Sequence, residues 1–316
     1  MSRFDSSFEP IAVATRSGFD ESLHHGVGVG LGSDGTIIAR VGDPQLVVYP
    51  RSCLKPLQAQ AMVSLGLDLP GELLAVACAS HDGMPTHVDA VRSILSEYGL
   101  ADVDLQNTPD RPLSDRESVS APTSISQNCS GKHAAMLATC VINGWPTDSY
   151  LDRDHPLQAA ITSWIEGAGC TVHHVGVDGC GAPTFALALD ELARSFGMLA
   201  STNAPVADAM RAHPVLVGGV GRDVTWWMQA IPGCMAKEGA AAVMAVGLDD
   251  GRAMAFKIAD GTDRARQAVT PEALRSIGLD VDVLAPATVA RVAVPMLGHG
   301  REVGRLEPLE WTPCSS

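Results

Sequence analysis

The chain has 316 residues, 46% of them hydrophobic, and a formal net charge of −14 at pH 7. This is a globular composition, long enough to bury a sizeable core, and it excludes a disordered chain. The acidic balance, without a basic run, excludes nucleic acid as a partner and disfavours anionic membranes, because both bind clustered lysine and arginine. No apolar stretch of about 18 residues occurs, and Met1-Ser2-Arg3-Phe4-Asp5 does not resemble a signal peptide, so we expect a cytoplasmic protein.

The first elements in chain order form a hairpin. Residues 26–31 alternate glycine with apolar residues, a Ser-Asp-Gly turn follows, and residues 36–41 form the second strand. The glycine spacing is not G-x-G-x-x-G and no helix start follows, so we favour a strand over a nucleotide-binding loop. Residues 240–246 and 253–258, joined through Asp-Asp-Gly, predict a second hairpin. The early and late hairpins are predicted to pair in one antiparallel sheet.

Between the hairpins the pattern is mostly helical. The segment at residues 106–127 is rich in Ser, Pro and Thr and predicts a loop. We predict one α/β domain over residues 1–316 with two lobes: a sheet lobe from about 10–50 and 235–316, and a mainly helical lobe at about 51–234. Apolar spacing and end signals predict helices at residues 86–100, 132–143, 155–167, 184–197 and 205–211.

Lysine is scarce, and one lysine lies three residues after a serine. Only four of the 22 basic residues are lysines, so each marks a place where a deprotonatable amine or a compact charge is useful. In Ser52-x-x-Lys55 the two side chains share a helix face, and the amine can act as the base that a serine nucleophile needs. Lys55-Pro56 is compatible with the first turn of a helix, where the missing proline N–H is harmless. A single S-x-x-K match is weak support for catalysis.

A serine and a further lysine follow in a familiar order. Penicillin-binding proteins and serine β-lactamases carry S-x-x-K early, a serine motif in the middle and K-T-G on a late strand. Here Ala79-Ser80-His81 and then Lys237-Glu238-Gly239 follow Ser52-x-x-Lys55 in that order, and Lys237 immediately precedes a predicted strand. An exposed cation at a strand edge is the alternative for Lys237.

Two short loops carry cysteines. In Asn128-Cys129-Ser130-Gly131-Lys132-His133 the thiol precedes a predicted helix and Lys132, which predicts a lowered pKa for Cys129. Asp178-Gly179-Cys180-Gly181 is the second loop, and two thiolates brought together suit Zn²⁺. Without C-x-x-C spacing, two buried free thiols are the alternative. The eight cysteines have no disulfide framework, so we expect thiols in a reducing compartment.

Taken together these segments resemble the asparaginase II family, the rhizobial-type or class 3 L-asparaginases. The matching pieces span roughly residues 26–261, and Asn-Cys-Ser-Gly-Lys-His at residues 128–133 is the most specific of them. The others are Arg51-Ser52-x-x-Lys55-Pro56, Cys78-Ala79-Ser80-His81, Asp178-Gly179-Cys180, His213-Pro214, Gly221-Arg222 and Lys237.

The resemblance implies a serine β-lactamase-like, penicillin-binding-protein-like or glutaminase-like fold, a homodimer, and hydrolysis of L-asparagine to L-aspartate and ammonia through an acyl-enzyme. It implies two catalytic pairs, Ser52 with Lys55 and Ser80 with Lys237, and we favour Ser52 as the nucleophile. The implied ligands of a possible Zn²⁺, which would tune affinity or geometry, are Cys129, Lys132 and Cys180. The implied substrate-binding residues are Arg51, His81, Asp178 and Asn128.

The chain departs from the family pattern in places, and other functions stay open. Residues 105–109 lack the usual C-G-x-H, His213-Pro214-Val215 lacks an acid, and Val220 stands where Glu is usual. These changes leave the preference between asparagine and glutamine open. Alternatives are a β-lactam-interacting hydrolase or peptidase, a non-catalytic amino-acid-binding protein, and a thiol enzyme that uses Cys234 or Cys129.

Overall fold

The computed structural model describes residues 7–115 and 121–314. The N-terminal five residues and part of the 106–127 loop therefore lie outside the described residues. The chain divides into two compact units. That these units form one domain stays a prediction. The first unit comprises Met1–Cys53, Leu187–Thr202 and Trp226–Ser316, and the second comprises Leu54–Ala186 and Asn203–Thr225.

The strands of the described residues are β1 (Glu9–Arg16), β2 (Phe19–Leu31), β3 (Ile37–Val41), β4 (Val47–Val48), β5 (His174–Val177), β6 (Pro183–Ala188), β7 (Met235–Gly239), β8 (Val243–Gly247), β9 (Ala253–Ile258), β10 (Val294–Gly298), β11 (Arg301–Pro308) and β12 (Thr312–Pro313). The α-helices are α1 (Lys55–Ser64), α2 (Gly71–Ala77), α3 (Pro85–Glu97), α4 (Ser130–Asn143), α5 (Pro156–Gly167), α6 (Leu189–Ser201), α7 (Pro205–Ala212), α8 (Pro214–Val217), α9 (Asp223–Ala230), α10 (Asp263–Ser276), α11 (Val281–Leu284) and α12 (Pro286–Val292). Short 3-10 helices cover Arg51–Leu54 and Asp102–Asp104.

One antiparallel sheet organises the first unit. Its strand order is β10-β11-β1-β2-β9-β8-β7, with β3 on β2 and β12 on β3. Both predicted hairpins are confirmed, and β2 pairs directly with β9, so the two chain ends build one sheet. The mixed α/β class with an antiparallel sheet from both ends is therefore confirmed.

The glycines of β2 are needed for packing. A Cβ at Gly28 would lie 2.5 Å from the ring of Trp311, and a Cβ at Gly30 would lie 3.0 Å from Ile277. These distances are too short for a side chain, so the alternating glycines let an indole and an apolar side chain lie against the strand. The preference for a strand over a nucleotide loop at residues 26–31 is confirmed.

The segment at 184–197 was predicted as one helix, and this is wrong. Residues 183–188 form the buried strand β6, which pairs with β5 in the second unit through residues 183–186. The helix begins at Leu189, where the Glu191 carboxylate accepts the Ala188 N–H at 3.3 Å. A short apolar run fits a buried strand as well as a helix, and periodicity alone does not separate them. The helix α6 then packs on β8 and β9 in the first unit.

The other predicted helices of the second unit are confirmed within one or two residues at their starts. The N-cap of α3 is Met84, with no side-chain cap. Gly144 ends α4 in the left-handed conformation at φ 65°, as its position predicted. His155 caps α5 by accepting the Leu157 N–H at 3.1 Å. No helix among the described residues is long and apolar enough to cross a membrane.

Candidate active site

Lys55 is a buried lysine at the start of α1. It is the first residue of the helix, followed by Pro56, and only 1% of it is exposed. Its Nζ lies 2.6 Å from the carbonyl oxygen of Ala79, 3.1 Å from Ser80 Oγ and 3.5 Å from the carbonyl oxygen of Asn128. Two carbonyl groups and one hydroxyl therefore surround the amine.

Ser80 lies in the buried connection between α2 and α3. Its N–H donates to the carbonyl oxygen of Val217 at 3.1 Å, and the N–H of His81 donates to Asn128 at 3.2 Å. Both amides are thereby engaged, so neither is available as an oxyanion donor in this conformation. The structure brings Ser80 together with Lys55 within the second unit. The implied pairs of Ser52 with Lys55 and of Ser80 with Lys237 stay predictions.

Ser52 and Arg51 belong to the first unit. They lie in the 3-10 helix Arg51–Leu54, directly before α1. The predicted first-turn position of Lys55-Pro56 is confirmed, because α1 begins at Lys55. Arg51 has a φ of 54°, a left-handed conformation that a residue with a Cβ adopts at a cost of about 1–2 kcal/mol. Such strain directly before a candidate nucleophile is typical of functional turns.

Lys237 also belongs to the first unit and lies within β7, not before a strand as predicted. It is fully buried, so the alternative of an exposed cation is wrong. Its Nζ donates to the carbonyl oxygen of Glu238 at 2.8 Å and to its carboxylate at 3.0 Å. The Cys53 thiol donates to the carbonyl oxygen of Lys237 at 3.1 Å, and a Cβ at Gly239 would overlap the carbonyl oxygen of Pro50. These contacts seat the turn that carries Ser52 on β7.

The two cysteine loops meet in the second unit. Lys132 Nζ lies 3.2 Å from Cys180 Sγ. The side chains of Lys132, Cys180 and Cys129 are all buried. The hydrogen bond from Cys129, with help from Lys132, holds the pKa of Cys180 far below its usual value despite burial. The pKa of Cys129 is instead raised by its hydrogen bond to Cys180 and by burial, so the predicted lowering is wrong for this residue. The site therefore holds one thiolate, Cys180, and one thiol, Cys129. Lys132 lies next to Cys180 and stabilises its thiolate.

A tyrosine and a histidine lie next to the thiols. Tyr150 OH accepts the N–H of Gln106 at 3.2 Å and lies 2.8 Å from His133 Nδ1, so its own proton is directed to that nitrogen. Burial, assisted by the Lys132 charge, lowers the pKa of His133 to about 4, so the ring is neutral. Sequence reasoning missed Tyr150, because no motif contains it.

The geometry can be compared with known proteins. Residues 12–308 match the family of L-asparaginase II. The chain belongs to the L-asparaginase II family. No curated protein matches it by sequence. A beta-lactamase from Mycobacterium bovis shares 14% identity and a TM-score of 0.39 over 80% of this chain and 95% of that chain, a similarity too distant to bear on activity.

Family membership makes this protein a hydrolase of the amidase type. Among the implied substrate-binding residues of this L-asparaginase II family member, Asn128, Asp178 and Arg51 are partly exposed. His81 is fully buried, and its Nε2 lies 2.9 Å from Ser130 Oγ. The structure therefore gives His81 a supporting place beside Ser80 in place of the predicted substrate contact.

The thiol cluster can also be compared with what Zn²⁺ requires. The described residues contain no group of three His, Cys, Asp or Glu side chains that could hold a metal ion. Two thiols and a lysine amine do meet here, and sulfur with nitrogen is the donor chemistry that zinc prefers. The donor set fits a metal only if the Lys132 ammonium gives up its proton. Its pKa, which burial lowers and the two cysteines raise more strongly, opposes that step in the metal-free form.

Proposed function

We propose that this protein hydrolyses the side-chain amide of L-asparagine to L-aspartate and ammonia through a serine–lysine acyl-enzyme. Family membership supports the amidase chemistry. Lys55 with its partner Ser80 supports the serine–lysine pair. A homodimer in the cytoplasm, as implied by the resemblance and the composition, stays a prediction.

The observation that carries the proposal is the set of atoms around Lys55 Nζ. An unprotonated amine has two N–H groups and one lone pair. The carbonyl groups of Ala79 and Asn128 can only accept hydrogen bonds, so they take the two N–H groups. Ser80 Oγ is the one partner with a proton to give, so the lone pair is left for it. In the ammonium form Lys55 donates to all three oxygens, Ser80 Oγ included. Once the amine has lost a proton, its lone pair faces Ser80 Oγ, as the proposed base requires.

The steps follow from this assignment. The Ser80 proton passes to Lys55, and Ser80 Oγ bonds to the amide carbon of the substrate. The C–N bond breaks, the nitrogen takes the proton from Lys55, and ammonia leaves. Lys55 then accepts a proton from water, whose oxygen bonds to the ester carbon. The bond from that carbon to Ser80 Oγ breaks, Lys55 returns the proton to Ser80 Oγ, and the acid is released. Ser52 stays the second candidate for the attacking oxygen, because its turn is strained and seated beside Lys237.

The test measures ammonia release from asparagine, glutamine and related amides. Ser80→Ala and Ser52→Ala are compared with Ser64→Ala, since Ser64 is the last residue of α1 and only bonds to its own helix. We expect Ser80→Ala to lower kcat about 10³-fold or more and Ser64→Ala to leave it unchanged. Intact-mass analysis after rapid quenching locates the acyl group. Retained turnover in Ser80→Ala with loss in Ser52→Ala would transfer the nucleophile to Ser52.

The second part of the proposal is a Zn²⁺ ion held by Cys129, Lys132 and Cys180. Two sulfur donors and one amine support it, and a bound zinc would supply a fixed positive charge that tunes substrate affinity or geometry. Cys180 is already a thiolate by its surroundings, so it needs no further proton loss to bind. The nucleophile does not depend on the metal.

Metal content of the purified protein tests this part. Cys129→Ser, Cys180→Ser and Lys132→Met are expected to lose zinc. Cys140→Ser, a buried cysteine of α4 for which no metal role is proposed, is expected to keep it. Equal zinc content in all four variants, or none in the unmodified protein, would contradict the proposal.

A further inference from the structure

The backbone of residues 215–219, here called the clamp segment, runs along the loop that carries Ser80. The carbonyl oxygen of Val217 accepts the Ser80 N–H at 3.1 Å. Two residues further on, Gly219 has a φ of 126° and lies so close to Asp82 that a Cβ would overlap its carboxylate. A glycine is therefore required there. The clamp segment packs tightly against the loop at two of its residues, Val217 and Gly219.

A histidine contacts a third residue of the clamp segment, Val215. His87 Nε2 lies 3.0 Å from the carbonyl oxygen of Val215, and His87 Nδ1 lies 3.1 Å from Asp82 Oδ1. The second contact has the distance of an ion pair but not the direction of a good hydrogen bond. His87, on α3, thus connects one end of the clamp segment to the carboxylate at its other end.

The surroundings of His87 decide its protonation. A neutral imidazole has one N–H and one lone pair, but both nitrogens of His87 face oxygens that only accept hydrogen bonds. A neutral ring would set a lone pair against the Val215 carbonyl or against the Asp82 carboxylate. Burial lowers the pKa of His87, and these two oxygens oppose that effect. The net direction of the pKa shift is downward, but the two facing acceptors leave no favourable place for a lone pair, and for this reason we expect an N–H at each nitrogen.

His81 next to it is neutral. Ser130 Oγ donates its one proton to the carbonyl oxygen of Ile125 at 2.8 Å, so it accepts from His81 Nε2. His81 Nδ1 then has a lone pair and is buried without a partner among the described residues. The ring stacks on His87 at 5.1 Å with an angle of 12°. Burial, His87 and Lys55 all lower the pKa of His81, so His81 is a neutral ring in this stacked pair.

We infer that His87 is a positioning residue: as an imidazolium between Asp82 and Val215 it fixes the clamp segment, and the clamp segment fixes Ser80 relative to Lys55. The inference rests on the proposed function only for its effect on catalysis. His87 is fully buried, so it acts on Ser80 through the clamp segment and does not touch the substrate. Its loss would move the Ser80 backbone and leave substrate contacts in place.

Two variants test this inference. In His87→Gln the introduced amide donates to Val215 and sets its own oxygen against the Asp82 carboxylate. The clamp segment loosens, and kcat falls about 10–100-fold while KM stays within about twofold. In the double variant Asp82→Asn with His87→Gln, the new asparagine amide donates to the glutamine oxygen. This restores a neutral hydrogen-bonded pair, and we expect kcat to recover to within about threefold of the unmodified enzyme.

A matched control and two readouts without turnover accompany the kinetics. His155→Gln also replaces a buried histidine of the second unit, but His155 accepts from Leu157 and donates to Pro146 and so is satisfied as a neutral ring. Ring ¹⁵N shifts at pH 7 should show two N–H groups on His87 and one on His155. The Ser80 amide should be protected from hydrogen exchange in the unmodified protein, lose protection in His87→Gln, and keep it in the double variant and in His155→Gln.

The readouts separate the two hypotheses. If no amide is hydrolysed, the proposed function fails, and the ring nitrogen shifts and Ser80 protection still test the clamp. A singly protonated His87 in the unmodified protein overturns the inference, even if the variants do not fold. Unchanged Ser80 protection in a folded His87→Gln also overturns it. An equal fall of kcat in His155→Gln would mean that only general stability is being measured.

Discussion

Lys55 Nζ lies 3.1 Å from Ser80 Oγ, with the carbonyl groups of Ala79 and Asn128 on its other sides. The pair is buried and lies within one compact unit. Ser80 is 25 residues from Lys55 in the sequence, whereas Ser52, the serine of the motif, is three residues away. The fold thus gives Lys55 a serine partner that lies far from it in the sequence.

Lys55 substitutions separate its base role from its charge. Arginine keeps a positive charge but does not release its proton in a protein. We expect both Lys55→Arg and Lys55→Met to lower kcat by about 10²–10⁴-fold, measured by ammonia release. Arg92→Met, which breaks an exposed ion pair with Asp102 in the same unit, is the control and should retain activity. Substantial turnover in Lys55→Arg would exclude the amine as the base.

Gly131 is the position where α4 passes closest to α2. A Cβ there would overlap the carbonyl oxygen of Val76, so Gly131→Ala forces the two helices apart. We expect a loss of about 2–4 kcal/mol in the free energy of unfolding, measured by urea denaturation. Gly167→Ala, at a helical glycine with open space around it, should be neutral or stabilising by up to about 1 kcal/mol. Equal effects of the two changes would contradict the close approach.

The buried neutral His133 predicts how stability depends on pH. Its pKa in the folded protein is about 4, below the ordinary value of 6.5, so the unfolded chain binds the proton first on acidification. The stabilisation is complete above about pH 6.5 and is lost as the pH falls towards 4, by roughly 3 kcal/mol. Urea denaturation between pH 7 and 4 in the presence of a chelator measures it. His133→Gln should flatten the curve, and an unchanged slope would contradict this assignment.

Cysteine labelling tests the thiol-enzyme alternative. Burial raises the pKa of Cys53 and of Cys140 to about 12, and Cys234 is also buried. Cys314 is the one partly exposed cysteine among the described residues. We expect iodoacetamide at pH 8 to label Cys314 first and to leave ammonia release intact, with Cys314→Ser abolishing the rapid phase. Loss of activity in step with labelling of Cys234 would favour a thiol nucleophile.

Local sequence patterns predicted much of the fold correctly. The alternating strands at residues 26–31 and 253–258 and their turns predicted two hairpins, and these pair in one sheet as expected. Helices with clear ends, such as α4 before Gly144, were also predicted correctly, because the ending residue carries its own conformational signal. The helix prediction at 184–197 failed, because residues 184–188 belong to the buried strand β6 and a short apolar run does not distinguish a buried strand from a helix.

The sequence by itself determined the family, the amidase chemistry and the small set of lysines and cysteines from which a site is built, since these are fixed by residue type and order. Only the tertiary structure decided that Lys55 faces Ser80, that Lys132 contacts Cys180, and that His87 lies between Asp82 and Val215. The physical reason is that a buried polar group must find partners of the right donor or acceptor character. Those partners come from segments that meet only when the chain has folded.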